Sequence, residues 1–126
     1  DVLAGNGGND TFVFNSSDTG ITFETMDRVQ DLNAGDILKF DVAGAGGAYT
    51  EQDGSLMLAN TFITNAGAAF NGGSDAYFVY NLAGTSHGYL AVDMDDSGSV
   101  NAGDVFLMLS NLNIADDLNP INIEYI

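Results

Sequence analysis

The stretch "GNGGNDTFVF", Gly5 to Phe14, sets three glycines and two asparagines before one aspartate and then turns abruptly apolar and aromatic. A glycine-rich hexapeptide ending in Asp can close into a tight turn whose backbone carbonyls, those of Gly5 and Gly7 among them, point inward. The Asp10 carboxylate then completes an oxygen cage of the kind that hard cations such as Ca2+ fill with about six to eight ligands. Glycine is needed there because left-handed backbone angles are unfavourable for residues with a side chain, although Asn tolerates them better than most. Two places after Asp10, Phe12 enters a short strand and turns its ring inward. The change in composition thus reads as a turn that holds metal followed by a strand that builds core.

Working outward, "DVLAGNGGND" returns to Asp nine residues after Asp1. Leu3 and Phe12 each lie two positions beyond an Asp, which makes about one and a half turns of a nine-residue repeat. An echo at Asn71 to Val79, "NGGSDAYFV", lacks the periodic spacing and reads as a turn leading into a strand.

The chain has 126 residues, of which 45% are hydrophobic, enough for a single domain with its own core. Eighteen acidic side chains against two basic ones give a formal net charge of -16. Such a surface repels phosphate backbones and anionic lipids and attracts cations, so nucleic acid and membrane surfaces are excluded as partners. Mutual repulsion among the carboxylates opposes compaction, and a bound divalent ion would relieve it. Acidity also serves solubility alone, and that plainer reading stands beside the first. There is no Cys, hence no disulfide framework and no thiolate site. No apolar run reaches membrane-spanning length, and the first residues lack the charge and apolar block of a cleavable export signal.

Alternating β-branched and aromatic residues, broken by Gly, Asn and Asp, predict an all-β domain in which no window sustains a helical period. The expected strands are Thr11 to Phe14, Arg28 to Leu32, Ile37 to Val42, Ser55 to Ile63, Ala76 to Leu82, Gly88 to Met94, Asp104 to Leu109 and Ile121 to Ile126. Turn-rich connections such as "NAGD", "AGAGGA", "NAGAAFNGGSD" and "DDSGS" join them, and Pro120 precedes the last strand, where a missing donor matters little.

A second calcium candidate is "DMDDSGSVNAGD", Asp93 to Asp104. It matches the twelve-residue calcium loop, with Asp93 and Asp95 at the first and third places, Ser97 at the fifth and Gly98 at the sixth. Ser99 offers a carbonyl at the seventh, Asn101 fills the water-bridged ninth and Asp104 the twelfth. The flanking helices of an EF-hand are missing: "GYLAV" before the loop is a strand by composition, and "VFLMLSNL" after it suits a strand or a short helix. The expectation is an EF-hand-like loop in a β context, set against a solvated hairpin tip without metal.

Other signals carry less. "GTSHG", Gly84 to Gly88, matches the string of a lipase nucleophile elbow, but that elbow needs a helix after it and a His from another loop, whereas a strand follows and His87 is the chain's single His. Neighbouring carboxylates such as Asp116 and Asp117, or Asp95 and Asp96, arise by chance in so acidic a chain and do not make a glycosidase pair. Phe12, Phe14, Phe40, Tyr77, Phe78, Tyr80 and Tyr89 fall in strands and read as core; Tyr49 and Tyr125 are open. No enzyme activity is expected of these residues.

"GNGGNDTFV" resembles the G-G-x-G-x-D-x-U-x nonapeptide of RTX (repeats-in-toxin) haemolysin-type proteins, with Asn6 standing at the usual second Gly. "NDTFVF" followed by "DRVQDLNAGDILKFDV" is similar to the segment closing the β-roll in secreted RTX proteases and epimerases, with Leu32, Lys39 and Phe40 as departures. "DAYFVYNLAGTSHGYLAVDMDDSG" resembles the late hairpin of that family. The resemblance implies a short parallel β-roll remnant (residues 1–32) capped by an antiparallel β-sandwich-like sheet (residues 33–126). It also implies Ca2+ held between turns, with Asp1 and Asp10 forming partial sites completed from upstream or by Asp18 and Asp27. It further implies the C-terminal part of a larger extracellular bacterial protein, folded by calcium and exported through a type I secretion apparatus, with "NIEYI" serving as signal, edge strand or both. A parent enzyme domain would lie upstream. A competing reading is a binding module, dockerin-like, adhesin-like or a surface-layer piece, that uses calcium to shape a surface for a protein partner.

Overall fold

Thr11–Phe14 alternates exposed and buried side chains, so Phe12 and Phe14 enter the interior while Thr11 and Val13 face outward. The structure, a computed structural model, describes residues 1–41, 48–83, 85–112, 114–119 and 122–125. Its elements are β1 (Val2–Leu3), β2 (Thr11–Phe14), β3 (Asp27–Val29), β4 (Ile37–Phe40), β5 (Tyr49–Asp53), α1 (Ala59–Asn71), β6 (Ala76–Tyr80), β7 (His87–Val92), β8 (Val105–Ser110) and β9 (Ile123–Tyr125). The fold is mostly strands with one short helix.

The strands form two sheets, one of six in the order β1-β3-β8-β7-β6-β5 and one of three in the order β2-β4-β9. Successive strands β1 to β4 alternate between the sheets, and each pairs in parallel with the strand that follows it in its own sheet. Val2 stands opposite Arg28 and Thr11 opposite Ile37. After an excursion through β5, α1, β6 and β7, the chain returns to add β8 to β3 and β9 to β4, again in parallel. The antiparallel strands β6, β7 and β8 extend the larger sheet and are not a separate cap.

The core has two layers. Between the sheets, Phe12, Phe14, Leu38, Phe40, Leu90 and Leu107 pack together, and Phe14 and Phe40, register partners on β2 and β4, stack with centroids 5.6 Å apart. On the outer face of the larger sheet, Phe62, Ala66 and Phe70 of α1 cover Tyr77, Tyr89 and Phe106.

The strand expected over Ser55 to Ile63 is a correction: α1 begins inside it, at Ala59. The apolar run is misleading because Leu56 and Leu58 face solvent, at 97% and 69% exposure. The buried residues recur every fourth position, Phe62, Ala66 and Phe70, the spacing that keeps one helix face on a neighbour. The helix also absorbs most of the "NAGAAFNGGSD" segment expected as a connection, and Gly72 ends it by donating to the carbonyls of Ala68 and Ala69. Two strands lacked a sequence signal: two-residue β1, and β5, an edge strand whose residues after Tyr49 are exposed. Val42, most of "AGAGGA", Gly84, Pro120, Ile121 and Ile126 lie outside the described residues.

Gly88 is closely enclosed within the larger sheet. A Cβ there would lie 2.5 Å from a ring carbon of Phe78 and 2.7 Å from the Leu112 carbonyl oxygen. Gly88→Ala should therefore lower unfolding free energy by about 1–3 kcal/mol, read as a fall in denaturant midpoint at unchanged m-value. An unchanged midpoint would show that β7 and its neighbours have slack.

Candidate metal centre

Between the antiparallel strands β7 and β8 the chain must reverse, and left-handed backbone at Asp96 (φ 52°) and Gly98 (φ 72°) folds the loop back on itself. That reversal brings carboxylate oxygens of Asp93, Asp95 and Asp104 within 4.8 Å of one another. Among the described residues no second trio of acidic side chains converges in this way. Asp93 and Asp104 sit at the ends of β7 and β8 and are buried, at 1% and 0% exposure, while Asp95 is exposed at the tip.

Backbone donors hold the trio. Asp93 accepts from the Ser97 amide (3.2 Å) and the Gly98 amide (2.9 Å), and Asp104 accepts from Met94 (3.0 Å) and Asn101 (2.8 Å). The Asn101 side-chain amide stands among the oxygens of the loop. Its Nδ2 donates to both Asp95 oxygens (3.3 and 3.1 Å), to Ser97 Oγ (3.1 Å) and to the Ser99 carbonyl (3.3 Å), while its Oδ1 accepts from the Gly103 amide (2.7 Å). A neutral donor thus occupies the place where the surrounding oxygens favour positive charge.

The electrostatics follow from burial and crowding. Burial pushes the Asp104 carboxyl up to about 6, with the charges of Asp93 and Asp95 adding to the effect against the two backbone donors. Burial likewise raises Asp93, whereas the Ser97 hydroxyl holds Asp95 below the usual range. Of the three, Asp95 ionises most readily, and the two buried carboxylates are the ones that need a compensating charge. The donor set is all oxygen, with no His or Cys, which fits a hard divalent cation better than zinc or copper.

Asp104 closes a turn that the chain uses twice. In "NAGD" at 33–36 and again at 101–104, the Asp carboxylate accepts from the Asn amide (2.9 and 2.8 Å) and the Asn side-chain oxygen accepts from the Gly amide (3.1 and 2.7 Å). In the first copy the other oxygen of Asp36 accepts from the Asp10 amide, 2.9 Å away and 26 residues earlier. In the second, the other oxygen of Asp104 takes the Met94 amide, with Asp93 and Asp95 alongside. The same turn therefore joins two coils in one place and gathers acids in the other.

The glycine-rich turn is arranged differently. Asp31, 26 residues on from Gly5, accepts from the Gly5 amide (2.9 Å) and from the Asn6 amide (2.6 Å). Asp10 Oδ2 is buried with no hydrogen-bond partner among the described residues, and a Cβ on Gly5 would collide with it. The carboxylates expected beside Asp10 do not gather around it in a trio. Asp18 accepts from the Asn15 backbone (2.6 Å) and side chain (3.2 Å), and Asp27 accepts from the Asp1 backbone nitrogen (2.7 Å). Gly7 stands in open space. Asp31 and Asp36 escaped the sequence reading. For Asp36 the one signal is non-local, aspartates nine residues apart at 1 and 10 that recur nine apart at 27 and 36, and Asp31 has none.

His87 opens β7, so a strand and no helix follows Ser86, and its Nδ1 accepts from the Asn111 amide (3.2 Å). Among the described residues no helix is long and apolar enough to cross a membrane. Compared with protein-family models, with curated proteins and with solved structures, the chain matches none of them.

Proposed function

We propose that this chain is a calcium-binding domain of the RTX haemolysin type that couples the folding of a larger exported bacterial protein to the calcium outside the cell. The observation that carries this reading is the convergence of Asp93, Asp95 and Asp104, two of them buried, in a loop whose spacing suits calcium. Strands that alternate between two parallel stacks, with glycine-rich turns at one end, support a short parallel β-roll. The partnerless Asp10 Oδ2 against Gly5 supports a cation at that turn as well.

In this reading Asp93, Asp95 and Asp104 hold the ion, with oxygens of Ser97, Ser99 and Asn101 in reserve, and calcium supplies the positive charge that the buried carboxylates lack. Where calcium is scarce, a net charge of -16 keeps the chain loose enough for a type I secretion channel. Where calcium is plentiful, a site held at a hundred times its dissociation constant adds about 2.7 kcal/mol to the folded state. A few such sites match the stability of an ordinary domain.

Thermal unfolding at low ionic strength, with calcium and with chelator, tests this. Calcium should raise the melting temperature, and both Asp93→Ala and the milder Asp95→Asn should shrink that rise. Asp95 is exposed, so its variant folds as the parent does. Identical melting with calcium and chelator would overturn the proposal.

A further inference from the structure

We propose that Asn6 is a site of spontaneous, fold-directed deamidation, and that the second Asn-Gly pair in the chain, Asn71-Gly72, is protected from it. The two dipeptides are the same, and what differs is the nitrogen that follows the Asn. In deamidation that nitrogen is the nucleophile, so whatever holds it decides the rate.

Gly72 is held. It caps α1, and its N–H donates to the Ala68 carbonyl (3.0 Å) and the Ala69 carbonyl (3.1 Å). Withdrawing that nitrogen for attack on the Asn71 side chain means breaking the helix end. Gly7 makes no such bond among the described residues. The turn's hydrogen bonds to Asp31 come from Gly5 and Asn6, one step earlier, and nothing lies within 4 Å of where a Gly7 side chain would be. Asn6 is exposed and already left-handed (φ 67°), and Gly8 follows at φ 120°. Gly7 and Gly8 thus give the backbone just after Asn6 wide freedom, and the Gly7 nitrogen can turn toward Asn6 Cγ without giving up a bond.

The step balances with water as co-reactant. The Gly7 nitrogen gives its proton to solvent base and bonds to Asn6 Cγ; the Cγ–Nδ2 bond breaks, and ammonia leaves with a proton from water. The resulting five-membered imide takes up one water molecule. Opening at Cγ leaves an aspartate at position 6; opening at the backbone carbonyl leaves an isoaspartate, with the chain running through the former side chain. Either product adds a carboxylate beside Asp31, whose two oxygens accept from this same turn. The isoaspartate also lengthens the backbone by one carbon just after the Asn6 amide that bonds Asp31.

The test is incubation of the folded protein at mildly alkaline pH and body temperature, followed by cleavage after Arg28 and Lys39. Asn6 and Asn71 then fall on different fragments, and tandem mass spectrometry locates the amide-to-acid mass gain. Asn6 should convert while Asn71 stays intact, and in urea the two should convert at comparable rates. Gly7→Ala fits the open space and a backbone without positive φ, and it should slow conversion at Asn6 by roughly an order of magnitude because the methyl crowds the nitrogen. Equal conversion at both sites in the folded protein, a contrast that persists in urea, or a Gly7→Ala variant as fast as the parent would each overturn the proposal.

Discussion

Phe62→Ala should lower the unfolding free energy by about 3–5 kcal/mol, the largest effect expected of any single side chain here. The ring is fully buried and lies 5.7 to 6.0 Å, centroid to centroid, from Phe106, Tyr77, Tyr89 and Phe23. It therefore joins α1, two strands of the antiparallel part, β8 and the segment before β3. The ends of the helix add little. Leu58 at its N-cap makes no side-chain cap, its first turn carries no acid and its last turn no base. Without tertiary packing a helix of 13 residues is marginal in water. Removing Phe62 leaves a cavity and also loosens α1, so hydrogen exchange along Ala59–Asn71 should accelerate ahead of the sheets. Phe62→Leu should recover part of the loss. A change below about 1 kcal/mol would mean that the outer layer repacks freely.

The second large effect is a reversal of pH dependence by metal. With a folded value of about 6 against an ordinary carboxyl value near 4, Asp104 binds more proton in the folded than in the unfolded chain between those pH values. The contribution of Asp104 to stability is then greatest below about pH 4 and falls as pH rises through about 6, by on the order of 2–3 kcal/mol. Asp93, raised by the same burial, acts in the same direction. On the proposed function calcium competes with those protons, because only the ionised carboxylates are good ligands. Saturating calcium should flatten or invert the slope between pH 4 and pH 6, and Asp104→Asn should remove most of it in chelator. Denaturant midpoints measured across that range, with calcium and with chelator, check both. A metal-free protein that grows more stable toward pH 6 would contradict the electrostatics described for the loop.

Strands and loop differ in how plainly they are written in the residues. "TFVF" and "AYFVY" declare themselves because β-branched and aromatic residues suit a pleated surface, the first alternating over one buried face and the second buried on both; "VFLMLS", open between strand and helix by composition, is also a strand. The acids at 93, 95 and 104 also meet, since a twelve-residue spacing with Gly98 at its sixth place leaves the backbone few alternatives. The helix is obscured because Leu56, Met57 and Leu58 imitate a buried strand just where the chain turns outward, and only Met57 goes in. β5 is obscured for the opposite reason, for an edge strand needs no apolar face. What Asp31 and Asp36 do lies furthest from view, because their partners Gly5, Asn6 and Asp10 belong to the preceding coil and no local pattern points to them.

The detour between β4 and β8 fixes an order of events during folding. β1 and β2 find their neighbours after a loop of modest length, whereas Asp27 must await Leu107 and Leu38 must await Ile123. Loop-closure entropy and high contact order make such late pairings slow, so the first two rungs can form while the polypeptide beyond them is still searching. The last rung of each stack is consequently the step that times completion, and mutations in β8 or β9 should alter refolding speed differently from equal-sized losses in β1 or β2.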